Sequence, residues 1–462
     1  MPNMDLDDTI AAIATPPGEG GIGIIRLSGP EAIPIARRVF RRSSGAKLNG
    51  AKSHTIHYGT ICDSHGEAID QVLISFFKAP KSYTAEDVVE ISAHGGMHVL
   101  KKILNLLLAQ GARHAQAGEF TRRAFLKGRI DLAQAEAVLD LIKAKSDRSL
   151  DVALQQLQGN LSSEIKRLKD ELLTVYAHLE AYLDFPDEHL EVYSNSKLSG
   201  KLENSRKQLK NLIASFEQGE ILREGALVVL VGRTNVGKSS LLNTLLCRDR
   251  AIVSEIPGTT RDVIEESVEI NGLWIRLVDT AGFSASDDPL DKAGMERTKR
   301  YLENGNLFLW LVDGSEGCLA EDFEILKSLK GKKVIALVTK TDLPNQKEMT
   351  ELHRALPSKT VLSISAKTGE GIDAIRKVIS EAVLKEEFGS ESVLITRLRH
   401  KRALVASLES IEKSIDSLRQ RESLELVTLD LKQALDALRE LVGEIYSEDL
   451  LDVIFKEFCI GK

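Results

Sequence analysis

Hydrophobic positions fall into three rhythms along the chain. From residue 1 to about 118 they come in short runs separated by turn residues. TIAAIAT (9–15), the turn PPGEGG (16–21) and IGIIRLSG (22–29) predict two strands closing around glycines. HTIHYGTI (54–61), QVLISFF (71–77) and DVVEIS (87–92) continue the strand pattern, and MHVLKKILNLLLAQ (97–110) predicts one helix. This is the pattern of an α+β domain. From 119 to about 220 the chain is poor in Gly and Pro, and apolar residues recur at helical spacing, as in LAQAEAVLDLI and LLTVYAHLEAYL, until LDFPDEH breaks the run at Pro186. The stretch 396–456 has the same character, as in LVTLDLKQALDALRELVGEIY. Two amphipathic stretches so far apart are expected to pack on each other, which makes the intervening segment an insertion.

Inside that segment a different alternation begins. ALVVLVG, LWIRLVDT, LFLWLVDG, KVIALVT and TVLSIS are five buried-strand candidates separated by helical runs. Alternation of this kind predicts a doubly wound, mostly parallel sheet. The expected domains are 1–118 (α+β), 119–220 (helical, first part), 221–379 (α/β) and 380–462 (helical, second part).

The first strand of the insertion runs directly into Gly232-Arg233-Thr234-Asn235-Val236-Gly237-Lys238-Ser239. This is GxxxxGK[ST], the P-loop, between a strand and a helix as the motif requires. Glycines let backbone N–H groups curl around phosphate oxygens, and the next helix points its positive end at them. Lys238 reaches the β- and γ-phosphates, and Ser239 ligates Mg²⁺. Three elements follow in order. Asp279-Thr280-Ala281-Gly282 ends LWIRLVDT, where an Asp holds Mg²⁺ through water and the Gly N–H meets the γ-phosphate. Thr339-Lys340-Thr341-Asp342 matches the NKxD base reader with Thr in place of Asn, and its Asp specifies guanine. Ser365-Ala366-Lys367 supplies an Ala N–H for guanine O6. Between P-loop and DTAG, Gly258-Thr259-Thr260-Arg261-Asp262 reads as a switch, with Thr260 completing the Mg²⁺ shell. Ras-type GTPases orient water with a Gln after DxxG. Phe283 stands there and can orient nothing, so a carboxylate among Asp287, Asp288, Asp291 and Glu296 is the candidate.

Composition narrows the class. The 462 residues carry 61 Lys and Arg against 68 Asp and Glu, a net charge of −7. That argues against coating nucleic acid through global charge and leaves room for local basic patches. Two basic stretches are candidates: Lys127 to Arg129 with Arg122 and Arg123, and Arg397 to Arg402. The four cysteines lie far apart without a CxxC pair, so a reducing, cytoplasmic setting is expected. No run of about 18 apolar residues is present, so no membrane span is expected. Cys459-Ile460-Gly461-Lys462, read alone, is a frayed end.

These segments together resemble one family, the tRNA modification GTPases called MnmE or TrmE. The resemblance runs the whole length: ATPPGEGGIGIIRLSG, SYTAEDVVEISAHGG, GEFTRRAFLKGRIDLAQAEAVLDLI, LDFPDE, GTTRD and CIGK. It implies a folate-binding N-terminal domain that homodimerises, a helical domain, and a GTPase domain inserted into the latter. The implied nucleotide contacts are Asn235, Val236, Gly237, Lys238, Ser239, Ser240, Ser254, Glu255, Ile256, Pro257, Gly258, Thr259, Thr260, Asp279, Thr280, Ala281, Gly282, Thr339, Lys340, Asp342, Ser365, Ala366 and Lys367. A potassium ion is implied at Asn235, Ser254, Ile256 and Thr259, taking the place of an arginine finger. The water-orienting carboxylate maps to Asp291, where relatives carry Glu, and an Arg shortly after DTAG is replaced by Ser284. A tetrahydrofolate derivative (5-formyl- or methylene-) maps to Arg26, Glu90, Arg129 and Lys462, and Cys459 would face the reaction centre as nucleophile or positioning group. The implied reaction installs an aminomethyl-type group on the wobble uridine of tRNA in a heterotetramer with MnmG. The resemblance implies that FAD sits on that partner. The rivals are a ribosome-assembly GTPase and a dynamin-like scaffold, and neither employs the N-terminal third or the CIGK tail.

Overall fold

A computed structural model describes residues 7–43, 52–184, 195–248, 265–279, 300–344, 346–347, 361–384 and 392–462, and the statements below concern these. Contacts gather the chain into two compact units, Met1–Leu139 with Leu438–Lys462, and Asp140–Ala437.

In the first unit the alternating segments become strands β1 (Ile10–Ile13), β2 (Gly23–Ser28), β3 (Phe40–Arg42), β4 (Thr55–Cys62), β5 (Ala68–Phe77), β6 (Val88–Ala93) and β7 (Arg113–His114). Their order in one sheet is β3-β4-β5-β6-β2-β1-β7, antiparallel except for the β1–β7 pair. Helices α1 (Ala32–Val39) and α2 (Met97–Ala109) bury Ile33, Ile35, Ile103 and Leu107 against Ile25, Ile74 and Ile91 of the sheet. The sequence reading predicted α2 and did not include α1, which carries Pro34. The proline lies in the first turn, where backbone N–H groups have no intrahelical partner, so the helix loses little. Helix α3 (Glu119–Leu126) and the start of α4 (Leu132–Lys143) form a second cluster with the later helix Glu448–Lys456: Phe125, Leu132 and Leu139 pack with Leu451, Phe455 and Phe458.

The second unit holds α5 (Asp147–Leu157), α6 (Asn160–Asp184), α7 (Asn195–Ala214) and α8 (Phe216–Glu224) ahead of a sheet. The sheet contains β8 (Ala226–Val231), β9 (Glu265–Ile270), β10 (Leu273–Asp279), β11 (Leu307–Asp313), β12 (Val334–Thr339) and β13 (Val361–Ser363). All five expected strands are present, and they pair in parallel in the order β13-β12-β11-β8-β10. The sequence reading missed β9, which closes the edge antiparallel to β10. Within its ESVEI (266–270) only Val268 and Ile270 are buried, a weaker signal than the all-buried β8 and β11. Helices α9 (Lys238–Arg248), α10 (Ala320–Ser328) and α11 (Ile372–Val383) complete the winding.

Beyond it run α12 (Leu398–Gln420), α13 (Leu424–Val442) and, back in the first unit, α14 (Glu448–Lys456). The expected packing of the distant helical stretches is present. Helix α7 lies along α12, with Glu203 to Arg419 at 3.0 Å and Lys210 to Glu412 at 2.7 Å, and Asp140 holds Arg397 at 2.5 Å.

Candidate functional sites

The nucleotide-type site is built at the carboxyl ends of β8, β10, β11 and β12. Strand β8 is buried throughout, so its last residue is fixed where the loop begins. Gly232 follows at φ 151°, and a Cβ there would lie 2.6 Å from the Leu311 carbonyl oxygen. Asn235 takes a left-handed φ of 61° and Gly237 a φ of 102°, which curls the loop so that α9 starts at Lys238 with its N–H groups facing the loop's hollow. Lys238 is buried, and its Nζ donates to the carbonyls of Gly232 and Arg233, each at 2.7 Å. Burial lowers its pKa, partly offset by Asp279. Its ammonium therefore favours any anion that enters.

Ser239 Oγ donates to Asp279 Oδ2 at 2.7 Å. A hydroxyl and a carboxylate so close at a P-loop mouth are the oxygen donors a Mg²⁺ ion takes. The base loops are tied to the same hollow. Thr339 Oγ1 donates to the Val236 carbonyl at 2.6 Å, so the residue standing in for Asn still couples the base reader to the P-loop. Ser365 Oγ donates to Asp342 Oδ1 at 2.7 Å, and Thr244 Oγ1 of α9 donates to the Ala366 carbonyl at 3.2 Å. Asn235, Ser239, Ser240, Asp342 and Lys367 are exposed there.

The structure thus brings together Asn235, Val236, Gly237, Lys238, Ser239, Ser240, Asp279, Thr339, Lys340, Asp342, Ser365, Ala366 and Lys367. Ser254, Glu255, Ile256, Pro257, Gly258, Thr259, Thr260, Thr280, Ala281, Gly282 and Asp291 lie outside the described residues, as do Phe283, Ser284, Asp287, Asp288 and Glu296. Sequence reasoning missed Arg233, whose Nε donates to both Asp322 oxygens at 3.0 Å while Nη2 donates to Glu316 at 3.0 Å. It also missed Asp313, an ion-pair partner of Lys340 at 2.6 Å. The available signal was a charged residue ending an otherwise apolar strand, LFLWLVD.

The second site lies in the first unit. Arg26 and Glu90 are direct cross-strand partners on β2 and β6, and Arg26 Nε donates to Glu90 Oε1 at 2.9 Å. The Arg26 guanidinium sits 5.0 Å from the Tyr83 ring centre and 5.6 Å from that of Phe120. Arg129 approaches the Tyr83 ring at 5.2 Å and donates to the Tyr83 carbonyl at 2.7 Å. The tail does not fray. Ile460 bridges Ala117, Phe120 N donates to the Lys462 carbonyl at 3.2 Å, and Arg26 Nη1 donates to the Gly461 carbonyl at 3.3 Å. Gly461 adopts φ 97° with its α-carbon against the end of β1.

Burial pushes the Lys462 ammonium to a lower pKa, Arg26 adds to this, and Glu90 and Cys459 oppose it. Arg26 and Arg129 thus flank the Tyr83 ring, while Glu90 and Lys462 lie on the Arg26 side, a set of charges and an aromatic face suited to a flat anion. Cys459 is exposed on the same tail. Tyr83 and Phe120 were missed as site residues, although SYTAED and GEFTRR contain them.

The structure buries or pairs part of each basic stretch. Arg123 is fully buried among Asp8, Glu86 and Glu119, and Arg122 is turned onto Asp452 at 2.7 Å and onto Glu448. Arg397 is spent on Asp140, His400 is buried, and Lys401 lies over the Phe216 ring at 4.7 Å. Charges neutralised this way offer nucleic acid little, whereas Lys127, Arg129 and Arg402 are exposed.

Two family models match the chain: "GTP-binding protein TrmE N-terminus" over residues 9–129 and "MnmE helical domain" over residues 132–459. Among curated proteins, the "tRNA modification GTPase MnmE" of Alkaliphilus metalliredigens is 47% identical over 461 residues, 99% of this chain and 100% of that protein. Its namesake in Acetivibrio thermocellus is 44% identical over 458 residues, 99% of each chain. That of Clostridioides difficile is 45% identical over 460 residues, 99% of this chain and 100% of that protein.

Proposed function

The chain belongs to the MnmE family of tRNA modification GTPases, and from that premise we propose how its two sites divide the work. It binds and hydrolyses GTP, and its activity is tRNA modification. In the proposed reading, residues 221–379 form the GTPase domain, inserted between helical parts 119–220 and 380–462, and residues 1–118 form the folate-binding and dimerisation domain. A cytoplasmic homodimer works with an MnmG-type FAD-dependent partner in a heterotetramer. Together they install an aminomethyl-type group at position 5 of the wobble uridine, with the carbon taken from a tetrahydrofolate one-carbon unit. No helix among the described residues is long and apolar enough to cross a membrane.

The residues divide as follows. Lys238 exchanges the Gly232 and Arg233 carbonyls for phosphate oxygens. Ser239, with Asp279 acting through water and Thr260, would hold Mg²⁺, which supplies charge neutralisation at the β- and γ-oxygens. Asp342 and Ala366 read guanine. Asn235, with Ser254, Ile256 and Thr259, would hold potassium, and hydrolysis depends on it when two GTPase domains meet. Asp291 orients the attacking water. Asp291→Asn is expected to lower GTP turnover and spare GTP binding; unchanged turnover in potassium buffer removes Asp291 from the mechanism.

The observation that carries the one-carbon reading is the tail laid against the Arg26–Glu90 pair, with Lys462, Arg129 and Tyr83 around it. A ribosome-assembly GTPase or a scaffold has no use for that cradle. The test is calorimetric titration of 5-formyltetrahydrofolate into the full chain and into a chain lacking its last six residues. Binding to the first and loss in the second supports the reading. No binding to a folded full chain overturns it and leaves a tRNA-modifying GTPase with another carbon source.

A further inference from the structure

Asp313 ends the fully buried strand β11 and is 2% exposed. Its carboxylate accepts from Ser315 N at 2.9 Å, from Ser315 Oγ at 2.6 Å and from Lys340 Nζ at 2.6 Å. Burial alone would lift this carboxyl, but Lys340 and Ser315 hold it below the usual range.

The partner lysine occupies an unusual backbone state. Lys340 has φ 58°, the left-handed region, which costs a side-chain-bearing residue about 1 kcal/mol or more. Several contacts hold that turn, among them Thr341 N to the Ile364 carbonyl at 3.3 Å and Leu343 N to the Lys340 carbonyl at 3.1 Å. Asp313 pairs in register with Thr339, the Gly314 N–H donates to the Thr339 carbonyl at 2.9 Å, and Gln346 Nε2 donates to the Lys340 carbonyl at 2.9 Å. Two residues on, Asp342 is exposed, with one oxygen held by Ser365. A buried carboxylate is costly to keep unless a charged partner and further hydrogen bonds satisfy it, as Lys340 and Ser315 do here. What this pair fixes is the turn that carries Asp342 out of the sheet.

We propose that Asp313 is a positioning residue for base recognition: its ion pair with Lys340 holds the 339–342 turn so that Asp342 meets the guanine edge. The proposal rests on the reading of Asp342 as the base reader. It separates two parts of nucleotide affinity. The phosphate part is set by Gly232 to Ser239, and the base part depends on Asp313 although Asp313 touches no ligand.

The test measures GDP and inorganic pyrophosphate binding by calorimetry, in Mg²⁺, for the wild-type chain, Asp313→Asn, Lys340→Met and the double variant. Asp313→Asn is expected to weaken GDP about tenfold, the loss of one charge-assisted bond, and to leave pyrophosphate unchanged. Lys340→Met, which leaves β11 untouched, is expected to show the same base-dependent loss. The double variant is expected to be no worse than the poorer single one, because both act through one pair. Equal losses for GDP and pyrophosphate, or losses that add, make Asp313 a structural residue and overturn the proposal. If Asp313→Asn does not fold, Asp313→Glu, which keeps the charge and lengthens the reach, decides by the same comparison, since Lys340 is itself an expected nucleotide contact. If the wild-type chain binds GDP no better than pyrophosphate, the base-reading assignment itself fails and the proposal falls with it.

Discussion

Replacing Gly461 by Ala tests whether the docked tail is part of a binding site. At φ 97° any other L residue is strained by about 1–2 kcal/mol. The added Cβ would also lie 2.4 Å from the Ile13 carbonyl oxygen and 2.8 Å from the Ala14 α-carbon. These are backbone atoms at the end of β1, so no side chain can rotate to relieve them. Against this stand three tail bonds: Arg26 to the Gly461 carbonyl, Phe120 N to the Lys462 carbonyl and Gly118 N to the Cys459 carbonyl. At about 1 kcal/mol each they hold the tail by roughly 3 kcal/mol.

Strain and overlap together match or exceed that hold, so the tail leaves its seat before the sheet deforms. The cost is then capped near the docking energy. Roughly 3 kcal/mol corresponds to about a hundredfold loss of affinity for a ligand that needs the docked tail. The assay is titration of 5-formyltetrahydrofolate into Gly461→Ala, with GDP affinity as a control in the other unit and hydrogen exchange at the Phe120 amide reporting the tail. Wild-type folate affinity with a still-protected Phe120 amide would refute the reasoning.

The remaining predictions concern separate contacts. Lys238→Ala should abolish measurable GTP binding while the circular dichroism spectrum stays the same. Thr339→Val leaves the Val236 carbonyl without its donor and should cost about 1 kcal/mol, a loss of roughly fivefold in GDP affinity that Thr339→Ser restores. In the first unit, burial opposes the charges of Asp8 and Glu119, yet Arg113 and Arg123 bring both carboxyls below their ordinary 3.8 and 4.5. The stability they lend is present above those values and lost as pH falls through the lower folded ones. Arg123→Met should therefore raise the acid-unfolding midpoint and cost about 3 kcal/mol or more at neutral pH, read by denaturant unfolding.

Much of the fold is legible because its signals are local. The five parallel strands are continuous apolar runs, and the P-loop is a contiguous string whose backbone conformation follows from its own glycines. The base-loop motifs sit at strand ends, so their convergence follows from a parallel sheet. Runs of charge were only partly legible. Arg122 and Arg123 look like a surface patch in KGR's company, but their partners are Asp452 and Asp8, far away in sequence. The same blindness hid Tyr83 and Asp313, whose roles depend on which residue the fold brings opposite them. Helix α1 is short and carries a proline, whose meaning depends on which turn it occupies.

The split makeup of the first unit also sets the order in which the chain matures. Phe125, Leu132 and Leu139 have as their partners Leu451, Phe455 and Phe458, which leave the ribosome about 300 residues later. At a synthesis rate of about 5–20 residues per second, that is a wait of roughly 15–60 s. During that interval the whole of residues 140–437 is made and can fold, while the apolar cluster near the start stays open. Helices α3 and α4 are therefore among the last parts to be finished, and the newborn chain carries an unsealed hydrophobic surface that invites chaperone binding until α14 arrives.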